Sequence, residues 1–175
     1  MGKKLYNKKS SKFKRIMNHI FIDGLSGMAL GLFATLIIGT ILQRIGILIS
    51  DAGDVAWLDR MGDLLFSIGK VAASLTGAGI GCGVAYKYKS SPLVLLSAAT
   101  AGMVGGFASA LLSGTVINGA VLSYAGPGEP LGAFIAAYIA IEIGGLISGK
   151  TKLEIVLSIY LLHKINIIYT EFLAY

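Results

Sequence analysis

Between Asp23 and Arg44 the chain runs for 20 residues, Gly24 to Gln43, without a charged side chain. A helix needs ~20 mainly apolar residues to cross the hydrocarbon core of a bilayer. A secretory signal has a shorter apolar core of ~7–15 residues, and here the chain that follows is just as apolar. The run therefore reads as a first membrane helix, over about Ile22 to Leu42. Three more such stretches follow, from about Leu64 to Tyr86, Pro92 to Ile117 and Leu131 to Ser148. A fifth candidate, 153–173, is interrupted by His163, Lys164 and Glu171. Hydrophobic residues make up 55% of the chain and charged residues 14%, where soluble domains carry ~25% charge. That balance excludes a soluble globular domain, and a mean hydropathy of +0.77 excludes a disordered one. The 24 glycines have no three-residue period and there are only 3 prolines, so a collagen-like chain is excluded too. The expected fold is all-α: a polytopic transmembrane helix bundle of four or five spanning helices over 21–175, behind a basic leader over 1–20.

The few charges give the orientation. Seven of the 15 basic residues precede position 16: Lys3, Lys4, Lys8, Lys9, Lys12, Lys14 and Arg15. The loop over Gln43 to Asp63 is mixed, with Arg44 and Arg60 against Asp51, Asp54, Asp59 and Asp63. The next loop has Lys87 and Lys89, the third (Asn118 to Pro130) has no basic residue, and the fourth has Lys150 and Lys152. Basic residues favour the cytoplasmic side of short loops. The alternation predicts an amino terminus in the cytoplasm of a bacterial cell, under its inner (plasma) membrane. The leader suits anionic membrane lipid. Nucleic acid is not an expected partner, because no base-reading helix and no interleaved aromatic residues follow the basic run. In the first loop Val55, Leu58, Met61, Leu65 and Ile68 recur every three or four residues around Trp57. That spacing predicts a short amphipathic helix at the outer interface.

Small residues mark the packing faces. Gly27 and Gly31 lie four apart, as do Gly77 and Gly81, Gly79 and Gly83, and Gly102 and Gly106. Gly132, Ala136, Ala140 and Gly144 keep the same spacing. Small residues four apart let membrane helices approach backbone to backbone. The glycine run over 77–83 lacks the G-x-G-x-x-G order of a dinucleotide loop. Ionisable groups inside a bilayer are costly and so are candidates for function. Glu142 is one, with Tyr138, Gly145 and Gly149 on its helix face. It reads equally as a ligand or proton site and as an interhelical hydrogen bond. Asp23 reads as a helix cap, Lys70 as a snorkelling lysine, and Asn118 as a helix C-cap or a binding residue. Glu129 ends the loop Gly126-Pro127-Gly128-Glu129-Pro130, which cannot continue a helix. Such a loop is either an external turn or the irregular backbone of a cavity. With one cysteine, Cys82, and the distant His19 and His163, no disulfide, metal cluster or catalytic set is expected. No cofactor and no stand-alone enzyme are expected either.

The stretch Ile22-Asp23-Gly24-Leu25-Ser26-Gly27-Met28-Ala29-Leu30-Gly31-Leu32-Phe33 and its continuation to Ile41 resembles the opening helix of the phosphotransferase-system EIIC-like membrane proteins. That group includes regulators of toxin expression of the perfringolysin O regulator type. Gly126 to Leu146 and Gly149-Lys150-Thr151-Lys152-Leu153 are similar to later segments, so the resemblance covers roughly 12–155. It implies a IIC-like component that binds and moves sugar while a separate IIB-type phosphocarrier supplies phosphate. It also implies that this chain matches the amino-terminal half of longer proteins. The half would work as a homo-oligomer or by pairing with another IIC half. The sugar ligand of such proteins is commonly a Glu in a Gly-to-Glu-Pro motif, which Glu129 loosely matches; Glu142, Tyr138 and Asn118 complete the candidate set. The alternative is a membrane-bound regulatory or structural protein without transport, acting through its basic leader.

Overall fold

The computed structural model describes residues 14, 17–53, 55–115, 117–118, 121–122 and 126–148. The fold is an all-α helical bundle. Helix α1 runs unbroken over Asn18–Ser50, 33 residues. Two of its stretches, Asn18–Gly24 and Phe33–Ile37, wind as wider π-helical turns. Helix α2 covers Ala56–Ser74 and α3 covers Thr76–Lys87, with a 51° bend between them at Leu75. Helix α4, Pro92–Gly106, starts from Ser91, whose hydroxyl accepts from the Val94 N–H, with proline at its first position. A short α5, Ala108–Leu112, follows the break at Phe107. An antiparallel ladder of two residues a side (Ile117–Asn118 with Val121–Leu122) precedes α6, Pro130–Ile147. Among the described residues, only α1 is by itself long and apolar enough to cross a membrane; the bent pair α2–α3 meets that description together, and α4 and α6 are apolar but shorter.

Several boundaries differ from those expected. The first helix does not stop near Leu42, because Gln43 and Arg44 end a hydrophobic run without ending a helix; both have high helix propensity. The long first loop therefore shrinks to 51–55, and the expected short interfacial helix is the 19-residue α2. It folds straight back along α1. The 64–86 stretch is split at Leu75, and the 92–117 stretch is split at Phe107 and ends at Leu112. Asn118 therefore caps no helix; its backbone pairs with Val121. Asp23 lies inside α1 rather than at its start. The stretch 153–173 and the leader lie outside the described residues.

The helices form two regions. The first half of α1 packs with α3, α4 and α6 as a bundle. The second half of α1 and α2 form an antiparallel arm, which meets the bundle mainly around Phe33–Ile37 and the start of α3. Both regions are built on close approach. In the arm, a Cβ on Gly39 would stand 2.7 Å from the Ala73 nitrogen, and one on Gly46 would stand 2.6 Å from the Gly62 carbonyl oxygen. In the bundle, Gly27 and Gly31 lie against the backbone of Val84 and Gly79, Gly81 against Ala98, Gly77 against Gly102, and Gly105 against Gly132. Gly106 and Gly144 are looser, with their nearest non-backbone neighbours at Ala133 and Val94. The interior is mostly glycine and alanine, while Phe33, Ile38, Leu48, Val71, Leu96, Leu131 and Leu146 are exposed. Small residues inside and large apolar ones outside is the packing that lipid, not water, accommodates.

Candidate functional site

Two helix breaks and one helix start meet at one level of the bundle. Thr76 opens α3 directly after the bend; it is fully buried, and its hydroxyl donates to the Ala73 carbonyl at 2.6 Å. Gly77 packs on Gly102, and a Cβ on Gly106 would lie 3.6 Å from the Cα of Gly77. The break at Phe107 leaves carbonyls at the end of α4 without helical partners. One of them is satisfied from far along the chain: the Glu129 N–H donates to the Gly106 carbonyl at 2.6 Å. Gly128 lets this happen. Its φ is +72°, and a Cβ there would sit 2.6 Å from the same Gly106 oxygen. Both the left-handed backbone and the close approach demand glycine.

Glu129 is the N-cap of α6, its carbonyl accepting from the Ala133 N–H at 3.0 Å, with Pro130 at the first helical position. Its side chain does not cap the helix. Instead Oε1 accepts a hydrogen bond from the Ser109 hydroxyl at 2.9 Å. Glu129 and Ser109 are both exposed, and the N-terminus of α6 favours the negative charge. The result is an accessible carboxylate held through its backbone to α4 and through its side chain to α5.

A second polar cluster lies at the other end of α6. Glu142 Oε1 is 3.8 Å from His19 Nε2, and His19 Nδ1 is 3.7 Å from Asp23 Oδ2. The Tyr88 hydroxyl donates to the His19 carbonyl at 2.9 Å, and the two rings stack at 4.1 Å. Tyr138 meets Tyr88 edge-on at 6.1 Å. Burial, then the nearby Tyr138, Glu142 and Asp23, hold the Tyr88 hydroxyl well above the usual phenol range. The Ser148 hydroxyl donates to Ser91 at 2.9 Å, joining the end of α6 to the start of α4.

The four residues singled out from the sequence therefore do not share one place. Glu129 precedes α6 and Glu142 lies 13 residues on, roughly 20 Å along a helix. Tyr138 stands with Glu142. Asn118 lies in the two-residue ladder. Glu142 is half-exposed rather than packed among small residues: Gly145 has open space beside it, and Gly149 lies outside the described residues. The packed stripe of α6 is another face, where Ala136 and Ala140 cluster with Ala101. Sequence reading missed Ser109 and Thr76 altogether. Ser109 is 20 residues from its partner, and no local spacing announces such a pair. Among the described residues, no group of three or more His, Cys, Asp or Glu is placed to hold a metal ion.

The family model "Phosphotransferase system, EIIC" matches residues 22–174. The chain belongs to the phosphotransferase-system EIIC family. It is a membrane protein of a sugar-transport family. The match also corrects the expected extent, because it runs through 174 rather than ending near 155. Comparison with the curated proteins and with the solved structures gives no match.

Proposed function

We propose that the chain is the sugar-binding and translocating membrane component of a phosphoenolpyruvate-dependent phosphotransferase system, with Glu129 as the sugar ligand. The observation that supports this most is the fixed, accessible Glu129 carboxylate where the breaks at Leu75 and Phe107 approach the start of α6. Irregular backbone at membrane depth is tolerated where protein buries it or it lines a polar cavity. Transporters build substrate sites from such interrupted helices. A carboxylate accepts from sugar hydroxyls with charge-assisted hydrogen bonds. In this reading the amino terminus is cytoplasmic, α1, the α2–α3 pair, α4 and α6 line the membrane domain, and a IIB-type phosphocarrier meets the cytoplasmic face. A second copy or another IIC half completes the transporter. Glu142 takes the structural role, tying α6 to α1 through His19.

The test is calorimetric titration of the reconstituted full chain with glucose, galactose, mannose, fructose and mannitol. Wild type binds at least one of them saturably. Glu129→Gln weakens that binding about tenfold or more, the loss of one charge-assisted hydrogen bond, and Glu142→Gln changes it less than about twofold. Absence of binding across the panel, or an unchanged Glu129→Gln, overturns the reading.

A further inference from the structure

We infer that the outward face of α2 is a docking site for a single phospholipid with a phosphate–ethanolamine headgroup, which Arg60 and Asp63 hold between them. The site belongs to the arm and is separate from Glu129 and from sugar.

Helix α2 has two apolar faces. Gly62, Gly69 and Ala73 are buried against α1. Trp57, Met61, Leu64, Ile68 and Val71 are exposed, and their alternating spacings of four and three line them up as one stripe along the helix. Trp57, Met61 and Leu64 share a groove of about 600 Å³ with Arg60, Asp63 and Ser67. Hydrocarbon covers the stripe but satisfies neither Arg60 nor Asp63. Among the described residues neither of these two forms an ion pair or a side-chain hydrogen bond.

The depth suits a headgroup. Gly24 to Gln43 carry no charge and make about 30 Å of helix, the thickness of a hydrocarbon core. Gly62 lies against Gly46 and Ser50 of α1, about one to two turns past Gln43. Arg60 and Asp63 therefore stand just beyond the hydrocarbon, while Leu64, Ile68 and Val71 run into it. Trp57 supplies the aromatic ring that favours such an interface.

The order of groups round the helix matches their order in the lipid. At about 100° per residue, Arg60 lies about 60° to one side of the stripe, Ser67 about 80° and Asp63 about 120° on that same side. Acyl chains on the stripe bring the phosphate to Arg60. The guanidinium donates two parallel hydrogen bonds to the phosphate oxygens, and the Ser67 hydroxyl donates a third. Ethanolamine carries its ammonium two carbons farther on, toward Asp63, whose carboxylate accepts from the N–H groups. A choline headgroup has no N–H to give. A glycerol headgroup leaves the lipid's negative charge beside an unpaired Asp63, and such a like-charge meeting is how a site rejects a wrong partner.

Trp57 is the only tryptophan, so its emission reports on this groove alone. The full chain in dodecyl maltoside micelles is titrated with dioleoyl phosphatidylethanolamine, phosphatidylcholine and phosphatidylglycerol. In wild type the ethanolamine lipid changes the emission saturably, at a mole fraction about fivefold below the other two, the scale of an exposed charge pair. Arg60→Gln raises that mole fraction about fivefold, the same scale of loss. Asp63→Asn removes the advantage over the choline lipid and makes the glycerol lipid bind at least as well as the ethanolamine one. Asp59→Asn, an exposed change on α2 outside the groove, keeps the wild-type order. No saturable response to the ethanolamine lipid, or an equal response to all three, overturns the site and leaves an ordinary lipid-facing surface. An ethanolamine preference that survives Asp63→Asn, or is lost equally in Asp59→Asn, overturns the headgroup assignment.

Discussion

The arm and the bundle use the same device, backbone touching backbone through glycine, at two different spacings. In the arm the contacts recur every seven residues, at Gly39 and Gly46 on α1 and Gly62 and Gly69 on α2. In the bundle they recur every four, at Gly27 and Gly31 or Gly77 and Gly81. A seven-residue repeat keeps one line of contact between two helices only as they wrap gently left-handed. A four-residue repeat gives one dense crossing. The bundle adds large buried side chains, Ile80, Val84 and Val94, to its glycines. The arm has no such filling; its buried residues are Gly39, Gly46, Gly62, Gly69 and Ala73. The bundle is therefore held by glycine contacts and by a core, and the arm by glycine contacts along one line.

That difference ranks the consequences of substitution. Gly81→Leu has the largest expected effect, since a Cβ at 81 meets the Ala98 carbonyl and cannot be relieved by a flexible neighbour. Overpacking of this kind costs ~1–3 kcal/mol or more, and the yield of monodisperse folded protein should collapse. Gly46→Leu has a comparable local clash with Phe66 and Gly62 but a confined outcome. Hydrogen exchange should accelerate across 56–74 while 92–106 and 130–147 keep wild-type protection. Equal acceleration in all three would erase the distinction between arm and bundle.

The next effect is on pH. Folding raises the Tyr88 phenol, so the folded chain holds that proton more tightly than the unfolded one. The stabilisation is complete below the unfolded phenol range of about 10 and is lost as pH rises above it. Thermal midpoints followed from about pH 9 upward should fall more steeply in wild type than in Tyr88→Phe. A double-mutant cycle with His19→Gln and Glu142→Gln should return a coupling under ~1 kcal/mol, as expected of a half-exposed pair. Smallest of all is Gly145→Ala, which meets nothing within 4 Å. It should be neutral or add at most the ~0.5–1 kcal/mol of helix propensity to stability, read as an equal or slightly higher midpoint.

How much of this was legible in the sequence depends on whether the cause was local. Helix α6 was expected at 131–148 and lies at Pro130–Ile147, because Pro130 and an apolar run mark it from within. The reach of α1 to Ser50 was hidden, since Gln43 and Arg44 interrupt hydropathy while favouring helix. The breaks at Leu75 and Phe107 carry no proline. They stand on the Thr76 hydroxyl bond to Ala73 and on the Gly106 carbonyl bond to Glu129, and the second crosses 23 positions of chain. Glu129 was visible because Gly126, Pro127, Gly128 and Pro130 surround it. Ser109 was not, because its partner is supplied by the tertiary fold alone.

The π-helical turn at Phe33–Ile37 sits where α1 leaves the bundle and enters the arm. Such a turn amounts to one residue inserted into an α-helix. An α-helix advances about 100° per residue, so that single residue acts as an angular setting between the two regions. Its deletion would shorten α1 by one step and swing the Gly39–Gly46 line away from α2, leaving each half helical and the pair out of phase.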